Sequence, residues 1–128
     1  MKKFLAVLVA ATAISFAGNS QTKPVVTAVI KTPNALCQVC KERIEGQLKR
    51  YDGMVEATVN FKKAETKVKY ITDRINIEEI KAIIANTGYD ADDVPAAEDA
   101  YARLPKTCKK FEDGGGHPKP KVLPPPKQ

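Results

Sequence analysis

Between Val25 and Gly88 the apolar residues of this chain switch between a two-residue repeat and a three-to-four-residue repeat, and the order of switching leaves few folds open. The first run, "VVTAVI" (25–30), is short and β-branched, is bounded by Pro24 and by "TPN" at 32–34, and reads as a strand. In "CKERIEGQLKRYDG", Cys40, Ile44, Leu48 and Tyr51 form one stripe of a helix that Asp52-Gly53 stops. Gly46 inside it costs about 1 kcal/mol relative to Ala, so packing must hold this helix. "MVEATVNF" then alternates, "KKAE" turns the chain and "TKVKY" alternates again, which predicts a hairpin. Asn76 and Glu79 have the spacing of a reciprocal N-terminal cap. Ile77, Ile80, Ile83 and Ile84 continue at helical spacing to a stop at Gly88. "DADDVPA" is expected as a last edge strand, ended by Pro95. The order β-α-β-β-α-β specifies an α+β, ferredoxin-like sandwich: a four-stranded antiparallel sheet with two helices on one face.

The flanks have different characters. Residues 1–17 place Lys2 and Lys3 ahead of an uncharged, largely apolar run from Phe4 to Ala17 that ends in small residues, the layout of a cleavable secretory signal. A periplasmic or secreted location is therefore expected, with residues 18–96 as the domain. Residues 97–128 hold three adjacent glycines and most of the prolines, and are expected as a disordered Pro-rich tail, with at most two helical turns in "AEDAYARL". The formal charge of +6 falls to +4 without Lys2 and Lys3. Residues 18–96 carry only +1 and the tail +3. A nucleic-acid binder concentrates positive charge on a folded face, and stacking aromatics on the central strands would be needed for RNA; Phe61 and Tyr70 are sparse. No nucleic-acid partner is expected.

The chemistry is concentrated in "ALCQVC" (35–40), which puts Cys37 in the loop after the first strand and Cys40 in the first turn of the helix. Free N–H groups and the helix dipole favour an anion there, and Lys41 and Arg43 add positive charge, so both thiol pKa values are expected to fall. Two soft thiolates suit Cu(I), Ag(I) or Hg(II), whereas structural Zn(II) wants four ligands and no second pair is present. A CxxC pair in an oxidising compartment is also compatible with a disulfide or with thiol–disulfide exchange. No hydrolytic constellation is visible, since His117 is the one histidine, and an enzyme is not expected.

The stretches "TPNALCQVCKERIEGQLKRYDGMVEATVNF" and "IEEIKAIIANTGYDA" resemble the heavy-metal-associated domains, a family that includes copper chaperones, modules of metal-pumping ATPases and periplasmic mercury-binding proteins. The resemblance implies that Cys37 and Cys40 are metal ligands and that the Gly88-Tyr89 loop lies near the metal. It implies a metallochaperone role with Cu(I) foremost and Hg(II), Ag(I) or Zn(II) as other occupants, a mercury scavenger being the alternative within the family. A metal-transporting membrane pump or another metalloprotein is the implied partner. The family usually has Met two residues before the first cysteine, where this chain has Ala35.

Cys108 and His117 fall outside the resemblance, in the tail. If the tail folds back they are additional ligands, and the site is then closed for storage or scavenging. Otherwise Cys108 attacks a Cys37–Cys40 disulfide or links two copies. A monomer is expected, with a metal- or Cys108-linked dimer as the alternative.

Overall fold

A computed structural model describes residues 24–117. Three strands, β1 (Val25–Lys31), β2 (Met54–Asn60) and β3 (Glu65–Ile71), form an antiparallel sheet in the order β1-β3-β2. Ala28 and Ala57 both pair with Val68, which sets the register across all three strands. Period-two alternation puts Ile30, Ala57, Val59, Val68 and Tyr70 on one face. Helices α1 (Gln38–Leu48) and α2 (Ile77–Thr87) cover that face with Cys40, Ile44 and Leu48 and with Ile80, Ile83 and Ile84. The other face of the sheet is solvated.

The punctuation residues act as their chemistry predicts. Asn76 accepts from the Glu79 N–H at 2.9 Å, and the Glu79 carboxylate accepts from the Asn76 N–H at 2.9 Å, closing the cap of α2. Gly88 ends α2 at φ 105°, and Gly53 turns the chain into β2 at φ 94°.

The expected fourth strand is not seen among the described residues. Ala91 and Val94 instead bridge each other across a tight turn, with Asp92 at φ 50°. Contact with the free edge of β1 reduces to Asp92 N–H donating to the Lys31 carbonyl at 2.9 Å and Lys31 N–H donating to the Asp92 carboxylate at 2.7 Å. Aspartates favour turns over ladders, and Pro95 has no N–H to continue one.

The second departure is larger. The chain after Ala97, expected to be disordered, is folded as far as His117. It forms a short helix α3 (Glu98–Ala102) and two 3₁₀ turns, Lys106–Cys108 and Phe111–Asp113. Ala97 N–H donates to the Ala85 carbonyl at 2.9 Å, and Ala100 and Leu104 are buried. Gly88 has no Cβ because the Leu104 side chain and the Ala100 carbonyl lie 3.0–3.1 Å from where one would stand. Residues 1–17 and 118–128, with the expected signal and the end of the tail, lie outside the described residues.

One ion pair ties α1 to the sheet. Glu45 accepts from the Lys41 ammonium at 2.6 Å and from the Val59 N–H of β2 at 2.8 Å, and Lys41 also donates to the Val59 carbonyl at 3.2 Å. Glu45→Ala orphans the Val59 N–H, beside a side chain only 2% exposed, and is expected to cost about 1–3 kcal/mol. Urea denaturation checks this; Glu45→Gln keeps an acceptor and should lose much less.

Candidate metal centre

The site begins with the loop between β1 and α1. Thr32 is fully buried and its hydroxyl pairs with that of Thr66 on β3 at 3.0 Å. Ala35 is fully buried beneath the loop, at the position where the family's Met would stand. Asn34 accepts from the Asp90 N–H at 2.8 Å and reaches the Gly88 carbonyl at 3.5 Å, so it clips the cysteine loop to the Gly88-Tyr89-Asp90 loop. Asn34 is buried, a position that no sequence pattern records, and that burial is what makes it a clip.

Cys37 is the N-cap of α1, with extended backbone, and its sulfur accepts from the Cys40 N–H at 3.4 Å. Cys40 lies one turn into the helix, fully buried, with its sulfur 2.9 Å from that of Cys37. Both remain free thiols. The fold-back of residues 97–117 adds a third. Cys108 is fully buried with its sulfur 3.8 Å from Cys37, and the Sγ atoms of Cys37, Cys40 and Cys108 all lie within 4.8 Å of one another. His117, 3% exposed, puts Nε2 3.3 Å from the Cys40 sulfur but is not a member of that three-thiol cluster. Its Nδ1 has no hydrogen-bond partner among the described residues.

The two CxxC thiols do not titrate alike, contrary to expectation. Burial pushes the Cys37 thiol up, but hydrogen bonds from the Cys40 thiol and N–H, from Cys108 and from the Val39 N–H outweigh it, and its pKa falls below 9.0. Burial pushes Cys40 strongly upward, and its position as donor to Cys37 and Cys108 adds to that. Lys41 does not contribute as expected, because its ammonium is taken by Glu45 and the edge of β2. Tyr89, which the resemblance placed near the metal, is fully buried against the Cys108 and Cys40 sulfurs; burial first, then those two sulfurs, raise its pKa. Its hydroxyl has no hydrogen-bond partner of ordinary geometry among the described residues. Burial lowers the pKa of His117, favouring the neutral ring.

The arrangement is a pocket of soft donors over a helix N-terminus, walled by an aromatic ring. Of the CxxC pair Cys37 is the more acidic thiol, while Cys40 keeps its proton until an electrophile takes the proton's place.

Comparison with known proteins agrees with this chemistry. The family described as "Heavy-metal-associated domain" matches residues 29–90. Copper chaperone CopZ of Staphylococcus haemolyticus is 29% identical over 65 residues, 51% of this chain and 96% of that protein. A copper-exporting P-type ATPase of the same organism is 32% identical over 73 residues, 57% of this chain but only 9% of the ATPase. Among solved structures, a CopZ metallochaperone superposes with a TM-score of 0.50 at 26% identity, covering 52% of this chain and 98% of its own. Oxidized MerP from Ralstonia metallidurans reaches 0.52 at 16% identity over 54% of this chain and 96% of its own, a likeness of fold alone. The third cysteine and the histidine lie beyond the matched segment. Residues 29–90, with the cysteine pair at the head of α1, match the heavy-metal-associated domain.

Proposed function

We propose that this protein captures or carries a soft metal ion, Cu(I) foremost, through the thiolates of Cys37 and Cys40, and that it works in the periplasm or outside the cell. The observation that carries the reading is the sulfur pair itself. Two sulfurs 2.9 Å apart stand at the positive end of α1 in a heavy-metal-associated domain, and they converge from one side on a point where an ion would sit. Thiolate donors select Cu(I) over harder cations. Binding must displace the Cys40 proton, so metal uptake releases acid. The similarity to copper chaperone CopZ and to a domain of copper-exporting ATPases supports copper as cargo and a metal-transporting pump as partner. The basic, apolar segment 1–17 supports export.

A second reading is thiol–disulfide exchange, favoured by one observation: a half-exposed, acidified Cys37 beside a buried, protonated Cys40 is the asymmetry such enzymes use.

Titration of the reduced protein with Cu(I) against a competing chelator separates the two. The expected result is one tightly bound equivalent, weakened more than about 100-fold in Cys37→Ala/Cys40→Ala, since removing a ligand does at least what removing its support does. Unchanged affinity in the double variant, with catalytic turnover of a test disulfide by the wild type, would return the pair to redox chemistry.

A further inference from the structure

The family match ends at residue 90, yet the chain continues through 27 more described residues that return to the cysteine pair. We propose that Cys108 is the third ligand of a closed three-thiolate site, and that residues 97–117 form the strap that delivers it, so that the protein retains a three-coordinate thiophilic ion instead of presenting one on an open face. The inference rests on the metal-binding reading above and makes it specific.

The distances suit the assignment. An ion with three sulfurs at about 2.3 Å in a plane needs sulfur–sulfur separations of about 4.0 Å. Cys37–Cys108 already stands at 3.8 Å and no pair in the cluster exceeds 4.8 Å. Cys37–Cys40, at 2.9 Å, must open by about 1 Å, within reach of a rotation of the Cys37 thiol. Cys108 is not held there by the other sulfurs alone. Its own N–H donates to the Pro105 carbonyl at 2.9 Å, within a 3₁₀ turn that also puts the Thr107 carbonyl 3.8 Å from the Cys37 sulfur.

The strap is a built element. Tyr101 is its hub: its hydroxyl donates to Asp113 at 2.5 Å and accepts from the Lys110 N–H at 2.9 Å, while the Lys110 ammonium lies over its ring. Lys110 also pairs with Asp90 at 3.4 Å, and Asp90 accepts from the Ala96 N–H at 2.8 Å, so the strap is tied back to the loop that carries Tyr89. At its far end His117 closes the opening over Cys40. With a thiolate sulfur as acceptor, Nε2 carries the proton and donates to it at 3.3 Å; His117 is a positioning residue that shields the ion from water. A carrier gives up its ion by letting a partner's thiol enter the open side. Here that side is occupied by Cys108, and handover requires the strap to lift.

The test is X-ray absorption at the copper edge of the Cu(I)-loaded protein, alongside Cu(I) competition on wild type, Cys108→Ala and Cys37→Ala/Cys40→Ala. Three sulfur neighbours in a monomer are expected for wild type, falling to two in Cys108→Ala. The single variant should also give up Cu(I) to a chelator at least about tenfold faster. The wild-type sulfur count needs no variant, so it decides the matter even where Cys108→Ala loosens the strap. Two sulfurs in the wild type, or three only in a dimer that shares a thiol, would overturn the inference and leave the metal-binding reading standing. Loss of neither affinity nor sulfur count in Cys37→Ala/Cys40→Ala would bring down that reading and this one together.

Discussion

Gly115→Ala is expected to open the strap while leaving the three-stranded domain folded. A Cβ at Gly115 would stand 2.1 Å from the Lys109 carbonyl oxygen and 2.4 Å from its carbon, distances no side chain can occupy. Both are backbone atoms, and they are pinned by the hydrogen bonds that make the turn: Gly115 N–H to the Lys110 carbonyl and Gly116 N–H to that of Lys106, each 2.9 Å. The overlap is relieved only by breaking that turn. A cost of about 3 kcal/mol or more, at the upper end of overpacking, shifts the closed-to-open ratio more than about 100-fold. The reactivity of Cys108 toward an alkylating reagent reads this directly, because its thiol is fully buried in the closed form. Mass spectrometry of the labelled chain should show Cys108 modified far faster in the variant. The adjacent Gly116→Ala is the control, since a Cβ there meets its nearest neighbour, the Thr107 Cα, at an ordinary 3.4 Å. Equal protection of Cys108 in Gly115→Ala and wild type would show that the strap is not what buries it.

Ile44→Ala is expected to act on the other half of the molecule, removing about 2–5 kcal/mol of stability. Ile44 is fully buried on the stripe of α1 that also carries Cys40 and Leu48. Truncation leaves a cavity between α1 and the sheet that neither can close, because the Lys41–Glu45–Val59 bonds hold α1 at its present height over β2. Domains of this size are stable by only about 5–15 kcal/mol, so much of the total is at stake. A urea midpoint that falls with an unchanged slope would confirm a native-state cavity; a shift smaller than about 1 kcal/mol would mean that the helix settles into it. Because the same helix presents Cys37 and Cys40, tight Cu(I) binding should weaken in step near the unfolding midpoint and be retained well below it.

Both helices, the three strands that pair and the two cysteines at the head of α1 were legible in the chain before any coordinates. Each is a local matter. Helical spacing of Ile44 and Leu48, alternation around Val59 and Val68, the Asn76–Glu79 cap and the glycine stops at Gly53 and Gly88 all act within a few residues of one another. The resemblance of the same segment to heavy-metal-associated domains then named the chemistry, and the family match at residues 29–90 agrees.

What the pattern misjudged lies where distant segments decide. "DADDVPA" has the hydropathy of a weak strand and does lie against the edge of β1, but there the Asp92 side chain accepts from the Lys31 N–H in place of a backbone carbonyl. Three consecutive glycines suggested a segment unable to pack; one of them, Gly115, is present because a backbone carbonyl occupies the space of its side chain, and no one-dimensional pattern records that contact. Asn34 became a clip only through Gly88 and Asp90, more than fifty residues away. The sequence by itself determined that two thiols stand at the positive end of a helix, because spacing and helix geometry suffice for that. Only the tertiary structure decided that a third thiol, 71 residues from Cys37, and the lone imidazole stand over them, because that depends on where the strap finds room to pack against Gly88 and the Tyr89 loop.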